Sequence, residues 1–316
     1  SSEDLYSWRA LVGKWFDQTV GKNTEYGKDV ININAAIGAT GSYFGAYRFY
    51  QDAHCDEGAP DVLFLEYSIN DVYDLLDGDT AALYYESIIR QAYAVNPYIQ
   101  IIPVFTTDIN FVNHYLKSGD EENTCFAAHR AVASHYSLPQ LNVGRTLADK
   151  MATQAGKSVF SDTDTVWDEY ITDTCHPTDE GYAVYAETVI DYLNTQLFGD
   201  GVVRTGEYTA VTLPEPYCGA SEKLISNGRY ISFKDAGFST DDLHGFNLNT
   251  TDGESVKQNS NGSITSNKRN ASFAYTFKGR GTGFYNQGSN KSGNLKWKVT
   301  AADDENISYS GETSLI

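Results

Sequence analysis

The chain has 316 residues and a formal charge of −19, because 42 Asp and Glu outnumber 23 Lys and Arg. A field of that sign repels phosphate groups, so the composition disfavours binding to nucleic acid or to an anionic membrane surface. No run of about 18 apolar residues occurs, and the sequence therefore predicts no membrane-spanning helix. The chain is longer than a typical domain with a single hydrophobic core, so its length predicts two domains.

Residues 1–200 alternate between predicted strands and predicted helices. The strands are short runs of apolar and β-branched residues, at 29–36, 61–67, 100–105 and 140–143. The helices are predicted at 6–20, 80–96, 125–136 and 178–198. They are recognised by apolar residues at helical spacing or by helix start and stop residues at their ends. This alternation predicts a parallel sheet with helices on both faces, in which a ligand lies beyond the carboxyl ends of the strands.

Start and stop residues support two of these helices. Asp79 is a candidate N-cap for the helix over 80–96, which would end before Pro97. Pro177 would introduce the last helix, and Gly199 would end it.

The composition changes after about residue 200. Residues 201–220 are predicted to be a linker, and residues 221–316 contain short β-prone runs separated by Gly, Asn, Ser and Asp. This pattern predicts an all-β sandwich or jelly-roll domain. It is also compatible with a domain that is incomplete at its C-terminal end. Its aromatic residues Tyr275, Tyr285 and Trp297 could stack on sugar rings or fill the core of the sandwich.

Three stretches at the ends of predicted strands carry candidate chemistry, and the most informative is Asp173-Thr-Cys-His176-Pro177. An aspartate three residues before a histidine can accept the Nδ1–H of the imidazole, which leaves Nε2 available as a general base. The alternative is a surface turn in which Asp173 and His176 only cap the following helix. Taken alone, the stretch favours the alternative.

The second stretch is Ser68-Ile-Asn70-Asp71, directly after the strand predicted over 61–67. The Asn70 amide can donate an N–H to negative charge that develops at the mouth of the sheet. Asp71 could cap or brace the following loop. The alternative is an ordinary Asx turn at the end of a strand.

The third stretch is the loop over 34–48, in which three glycines precede a helix. Glycines allow the backbone to approach a ligand closely. The loop contains neither the dinucleotide-binding nor the P-loop glycine pattern, so the sequence predicts no nucleotide site.

In this order, the three stretches resemble the conserved blocks of the SGNH (GDSL-type) hydrolase family. Residues 34–48 resemble its Gly block, SIND its Asn block and DTCHP its DxxHP block. The resemblance covers residues 6–198 and implies a flavodoxin-like three-layer α/β/α fold. It also implies ester hydrolysis without a metal or organic cofactor.

The resemblance assigns roles position by position. It makes His176 the base that deprotonates a serine, with Asp173 as its orienting partner. Asn70 would donate its side-chain amide to the oxyanion, and the backbone N–H of Ala39 would be a second donor where the family usually has glycine. Ser68 stands where the Asn block usually has glycine, which could alter the presentation of Asn70.

The block that should carry the nucleophile is the large departure from the family. The family's serine lies in a GDS motif after the first strand, and no GDS sequence occurs in these residues. Ser1 and Ser2 lie too close to the helix over 6–20 to replace it. We therefore expect the nucleophile and the first strand to lie upstream of Ser1, and we expect the chain alone to be inactive.

Residues 277–299 (FKGRGTGFYNQGSNKSGNLKWKV) resemble the β-sandwich partner domain of several bacterial carbohydrate esterases of this family. This resemblance implies an extracellular protein that acts on an acetylated polysaccharide of the acetylxylan type or on another small ester. A second hypothesis is a non-catalytic carbohydrate-binding protein on a degenerate SGNH scaffold. A third, a structural cell-surface module, has no support beyond the acidic charge.

The four cysteines, Cys55, Cys125, Cys175 and Cys218, have no metal-ligand spacing. The sequence therefore predicts no structural zinc, and it favours free thiols over a disulfide.

Overall fold

A computed structural model describes most of the chain. The described residues are 6–22, 29–53, 58–118, 124–161, 163–200, 202, 209–239, 241–244, 246–248, 263–266, 268–279, 282, 284, 293–304 and 306–314. The chain divides into two compact units, and the boundary lies between Tyr230 and Ile231.

The first unit is built mainly from helices around a small parallel sheet. Its helices are α1 Trp8–Phe16, α2 Ser42–Ala53, α3 Ser68–Tyr73, α4 Gly78–Val95, α5 Ile109–Ser118, α6 Thr124–His135, α7 Val143–Ala155, α8 Val166–Tyr170 and α9 Asp179–Phe198. A π-helical segment, Asp17–Gly21, continues α1, and a 3₁₀ turn covers Ser221–Lys223. Its two strands are β1 Val62–Leu65 and β2 Gln100–Pro103.

The sheet separates two hydrophobic cores. β1 and β2 pair in parallel, with Val62 opposite Gln100, and a parallel bridge between Val104 and Leu141 extends the sheet. Because side chains alternate along a strand, Ile101 packs into the core formed with α2, α4 and α6, whereas the next residue enters the core formed with α1, α5, α7 and α9. The predicted three-layer α/β/α fold is therefore confirmed.

Some predicted elements differ from the structure. Residues 29–37 form no strand, and Ile31 and Ile33 are exposed there, because no other described segment pairs with the run. The strand predicted over 140–143 is reduced to the single bridge at Leu141. The N-cap of α4 is Asp77, whose carboxylate accepts the Thr80 N–H at 2.8 Å, so the prediction of Asp79 was wrong.

The segment predicted as a linker is attached to the first unit wherever it is described. The Glu86 carboxylate accepts the backbone N–H groups of Tyr217 at 2.6 Å and Cys218 at 2.9 Å, and Arg90 donates to the Pro214 carbonyl at 3.0 Å. These hydrogen bonds hold the described part of the segment against α4. The first unit therefore extends to Tyr230 instead of ending at residue 200, and the second unit begins at Ile231, ten residues later than the sequence predicts.

The second unit is β-rich and antiparallel. β3 Asn247–Leu248 pairs with β4 Ile264–Thr265, and β5 Asn294–Thr300 pairs with β6 Ser308–Ser314. Tyr275 and Trp297 are each more than one-third exposed, although the Tyr275 ring also packs edge-on against Phe284. Tyr285 lies outside the described residues.

Three of the four cysteines are described, and Cys125, Cys175 and Cys218 form no disulfide with one another. Cys55 lies outside the described residues. No described helix combines the length and hydrophobicity that crossing a lipid bilayer requires.

Candidate active site

Asp173 and His176 lie in an exposed, tight loop between α8 and α9. An antiparallel bridge between Ile171 and Pro177 closes the base of this loop. Thr174, between the two site residues, has a φ of +71°, a left-handed conformation that reverses the chain within a few residues. The loop therefore brings an aspartate and a histidine that are three residues apart onto one side of the turn.

The two side chains interact directly. The Asp173 carboxylate accepts from Nδ1 of His176 at 2.9 Å and from the backbone N–H of the same residue at 2.9 Å. The N-terminus of α9 is capped by Thr178 instead, whose hydroxyl accepts the Gly181 N–H at 3.2 Å. The contact between Asp173 and His176 is therefore not part of the N-terminal cap of α9. Nε2 of His176 makes no hydrogen bond to any residue that the structure describes, which leaves it open to a substrate or a nucleophile.

The charge of Asp173 persists into strong acid. Hydrogen bonds from the backbone and then the imidazole of His176 lower the pKa of Asp173 from 3.8 to about 2. Because the folded pKa lies below the unfolded one, the stabilisation that depends on this charge is complete above about pH 4 and is lost as the pH falls through about 2. Asp173 is therefore a carboxylate throughout the range in which a histidine base operates.

Asn70 lies in the first half of the short helix α3, where the sequence predicts a loop. It is half-buried, and its side-chain amide makes no hydrogen bond to a described residue. The Glu66 side chain stabilises the N-terminus of α3 by accepting the Ser68 N–H at 2.9 Å. Ser68 itself is buried, so the residue that replaces the family's usual glycine points into the protein.

Asp71 joins α3 to the N-terminus of α2. Its carboxylate accepts the backbone N–H of Ser42 at 2.6 Å and the Ser42 hydroxyl at 2.6 Å. His129 of α6 contacts the same carboxylate through Nε2 at 2.8 Å, and both side chains of that pair are fully buried. Asp71 thus does more than cap a loop, because it fixes the position of α3 against two other helices.

The glycine-rich loop that leads into α2 is fixed by the same carboxylate. A Cβ on Gly41 would lie 2.5 Å from Oδ1 of Asp71 and 2.6 Å from Oδ2 of Asp74, so any other residue there would displace these carboxylates. Ala39, two residues earlier, is exposed and has a φ of +56°. That left-handed conformation explains why glycine is the usual residue at this position of the loop.

A second set of hydrogen bonds joins α3 to the histidine loop. The Tyr73 hydroxyl donates to the buried carboxylate of Asp108. The next residue, Ile109, donates its backbone N–H to the carbonyl of Thr174 at 3.2 Å. α3, which carries Asn70, is therefore connected on one side to the Ala39 loop and on the other to the loop of His176.

Hydrogen bonds thus join the segments that carry the four predicted site residues, Ala39, Asn70, Asp173 and His176. Of these four, Asp173 and His176 are in direct contact with each other. Among the described residues, no group of His, Cys, Asp and Glu is arranged to hold a metal ion.

Comparison with known families identifies the fold. A family model described as GDSL-like lipase/acylhydrolase matches residues 3–184, more than half of the chain. The chain belongs to the GDSL-like lipase/acylhydrolase family.

Two solved structures are similar to this member of the GDSL-like lipase/acylhydrolase family. One is a two-domain esterase active on acetylated mannans, with 20% sequence identity and a TM-score of 0.63. The other is a two-domain esterase of the same description, co-crystallised with mannopentaose, with 21% identity and a TM-score of 0.62. The matches cover 85% of this chain but only 62% and 61% of those chains, and at this identity the likeness is one of fold. No curated protein sequence matches significantly.

Several residues that organise the site were missed by sequence reasoning. Four of them are polar groups far along the chain from the residues that they contact, namely Ser42, Tyr73, Asp108 and His129. The fifth is Glu66, which accepts the backbone N–H of Ser68 two residues later. A signal existed for Glu66, because it is the one carboxylate in the otherwise apolar run over 62–67.

Glu66 is expected to make the free energy of unfolding depend on pH between about 4.5 and 7. Burial raises its pKa from 4.5 to about 7, although hydrogen bonds from the backbone N–H groups of Ile69 and Ser68 oppose the shift. The folded protein therefore binds a proton that the unfolded chain has released, so wild type should lose up to about 3 kcal/mol of unfolding free energy between about pH 4.5 and pH 7.

Urea unfolding of wild type and Glu66→Gln across this pH range tests the expectation. In Glu66→Gln, the free energy of unfolding should not show the decline with rising pH that Glu66 causes. Glu187→Gln, which changes an exposed carboxyl group in α9, should show the same decline as wild type. Parallel curves for wild type and Glu66→Gln would contradict the assignment.

Proposed function

We propose that this protein is a carboxylic ester hydrolase that removes acetyl groups from a neutral polysaccharide through an acyl-serine intermediate. The observation that carries the proposal is the Asp173–His176 pair, whose Nε2 is open, on a loop joined by hydrogen bonds to the helix of Asn70. Acyl transfer requires a base held in one tautomer and an uncommitted amide donor, and these hydrogen bonds join the elements that carry the two groups.

Each residue has a defined part in the proposed reaction. Nε2 of His176 accepts the proton of a serine hydroxyl while the serine oxygen bonds to the ester carbonyl carbon. The Asn70 amide and the Ala39 backbone N–H donate to the resulting oxyanion. His176 returns its proton to the departing sugar oxygen, which leaves an acetyl-serine. His176 then takes a proton from water as the water oxygen bonds to the acetyl carbon, and it returns that proton to the serine oxygen when the acyl–oxygen bond breaks and acetate is released.

The block that carries the nucleophile in the family is not recognisable in these 316 residues. Their sequence contains no GDS motif, and Ser42, the serine nearest in sequence to the Ala39 loop, is fully buried and bonded to Asp71. We propose that a serine encoded before Ser1 completes the site, and that the 316-residue chain alone has negligible esterase activity.

The proposed substrate follows from charge and from similarity. A net charge of −19 disfavours acidic polysaccharides and suits neutral ones. The similar solved structures are described as active on acetylated mannans. This similarity supports acetylated mannan as a candidate substrate, in addition to the acetylxylan that the family resemblance favours. Such polymers are extracellular, so we propose that the protein acts outside the cell.

The decisive experiment begins with the codons before Ser1. A GDS motif there supports the proposal, and the correspondingly extended protein should hydrolyse p-nitrophenyl acetate and acetylated manno-oligosaccharides, whereas the 316-residue chain should not. A folded, extended protein that is inert towards both substrates would refute the esterase.

A second candidate, a non-catalytic carbohydrate-binding protein, is favoured by the missing GDS motif. It predicts sugar binding without turnover and upstream codons that lack the serine.

A further inference from the structure

Tyr73 is an exposed aromatic residue close to the candidate oxyanion donor. It follows Asn70 by three residues in α3, a spacing that places two side chains on the same face of a helix. Its side chain is 55% exposed, which is unusual for an aromatic residue whose neighbours in α3, Ile69 and Asp71, are buried. An aromatic ring in water beside a reaction site is available for contact with substrate.

The Tyr73 ring is also held in place. Its hydroxyl donates to Asp108 and accepts from the Asn110 side-chain amide at 3.3 Å. The Asp108 carboxylate is itself fully buried and accepts the backbone N–H groups of Asn110 at 2.8 Å and Phe111 at 2.9 Å. Because the ring is anchored at its outer end, a ligand that stacks on it does not need to immobilise it.

A second exposed apolar side chain lies two residues further on. Leu75 is 88% exposed and has a φ of +57°, at the end of α3 where a glycine would be unstrained. A leucine in a left-handed conformation is an outlier, and such outliers cluster at ligand-binding sites. Tyr73 and Leu75, both exposed and two residues apart at the C-terminal end of α3, are here called the α3 platform.

We infer that the α3 platform binds the pyranose ring that carries the ester, with the Tyr73 ring stacked on the sugar. The inference rests on the proposed function and names the part of the site that binds the alcohol side of the substrate. A pyranose has one face of C–H groups, which suits a flat aromatic surface, and hydroxyl groups that stay in water. An acyl chain would instead require an enclosed apolar pocket, and the platform is open to solvent.

Binding measured on the 316-residue chain tests the inference without requiring a nucleophile. Calorimetric titration with acetylated mannopentaose should give a Kd that Tyr73→Ala raises about tenfold, as expected when roughly 50–60 Å² of apolar contact is lost. Tyr73→Phe keeps the ring and should retain most of the affinity. Tyr98→Ala, at a similarly exposed tyrosine that precedes β2 at the opposite end of the sheet, should leave the Kd unchanged.

Each other outcome overturns the inference. If wild type does not bind the oligosaccharide, or if Tyr73→Ala binds as wild type does, the platform has no role in sugar recognition. If Tyr73→Ala binds acetylated mannopentaose normally but weakens an inhibitor with a long acyl chain, the platform holds the acyl group instead. Failure of the proposed function is recognised separately, because it appears as an extended protein that does not hydrolyse p-nitrophenyl acetate.

Discussion

His176→Ala in the extended protein is expected to lower kcat for p-nitrophenyl acetate by about 10²–10⁴-fold, the usual contribution of a positioned general base. The reason is geometric, because Nδ1 of His176 is committed to Asp173 and Nε2 is the nitrogen that remains open. Asp173→Asn should lower kcat by a smaller factor, since both side chains are exposed and their electrostatic interaction is screened by water.

The chain offers a matched control for this prediction. His244 of the second unit is another exposed histidine with an aspartate nearby, Asp242, whose pKa it helps to lower. His244→Ala should leave kcat unchanged. The general-base role would have to be abandoned if both histidine variants retained full activity, or if both lost it equally while remaining folded.

Asp71→Ala is expected to destabilise the fold by about 3–5 kcal/mol, because it removes a buried carboxylate and leaves its buried hydrogen-bond donors without a partner. The substitution strands three buried donors, namely the backbone N–H and hydroxyl of Ser42 and Nε2 of His129. The His129 ring cannot turn towards water, because Tyr85 stacks on it at 4.0 Å. Urea unfolding monitored by circular dichroism gives the difference in free energy directly.

Asp74→Ala is the control for this substitution. Asp74 lies one turn further along the chain, is exposed, and accepts one hydrogen bond from the Gly41 backbone. Its loss should cost about 1 kcal/mol or less. Equal effects of the Asp71 and Asp74 variants would mean that the buried network does not stabilise the site. A double-mutant cycle with His129→Phe then measures the coupling within the pair.

The parts of the site that depend on local sequence were predictable. Asp173 and His176 are three residues apart, so their contact follows from a single turn. The three layers followed from the alternation of apolar runs with helical patterns, because each buried strand must be covered on both faces.

The parts that depend on tertiary packing were not predictable. Asp71 meets Ser42 and His129 across 29 and 58 residues of chain, and Tyr73 meets Asp108 across 35. No spacing rule relates such positions, since their distance is decided by how helices pack. The run over 29–36 was predicted as a strand from its β-prone composition and does not form one. A strand needs a neighbour whose backbone accepts and donates its hydrogen bonds, and no described segment pairs with this run.

The shortness of α3 has a consequence for engineering. At six residues it is far below the length at which an isolated helix persists in water, so its location is dictated by the partners of Asp71 and Tyr73. Redesigning α3 to alter the candidate site would therefore remove the hydrogen bonds that hold it to both neighbouring segments. Changes directed at exposed Leu75, which supports neither attachment, offer the safer route to a different substrate preference.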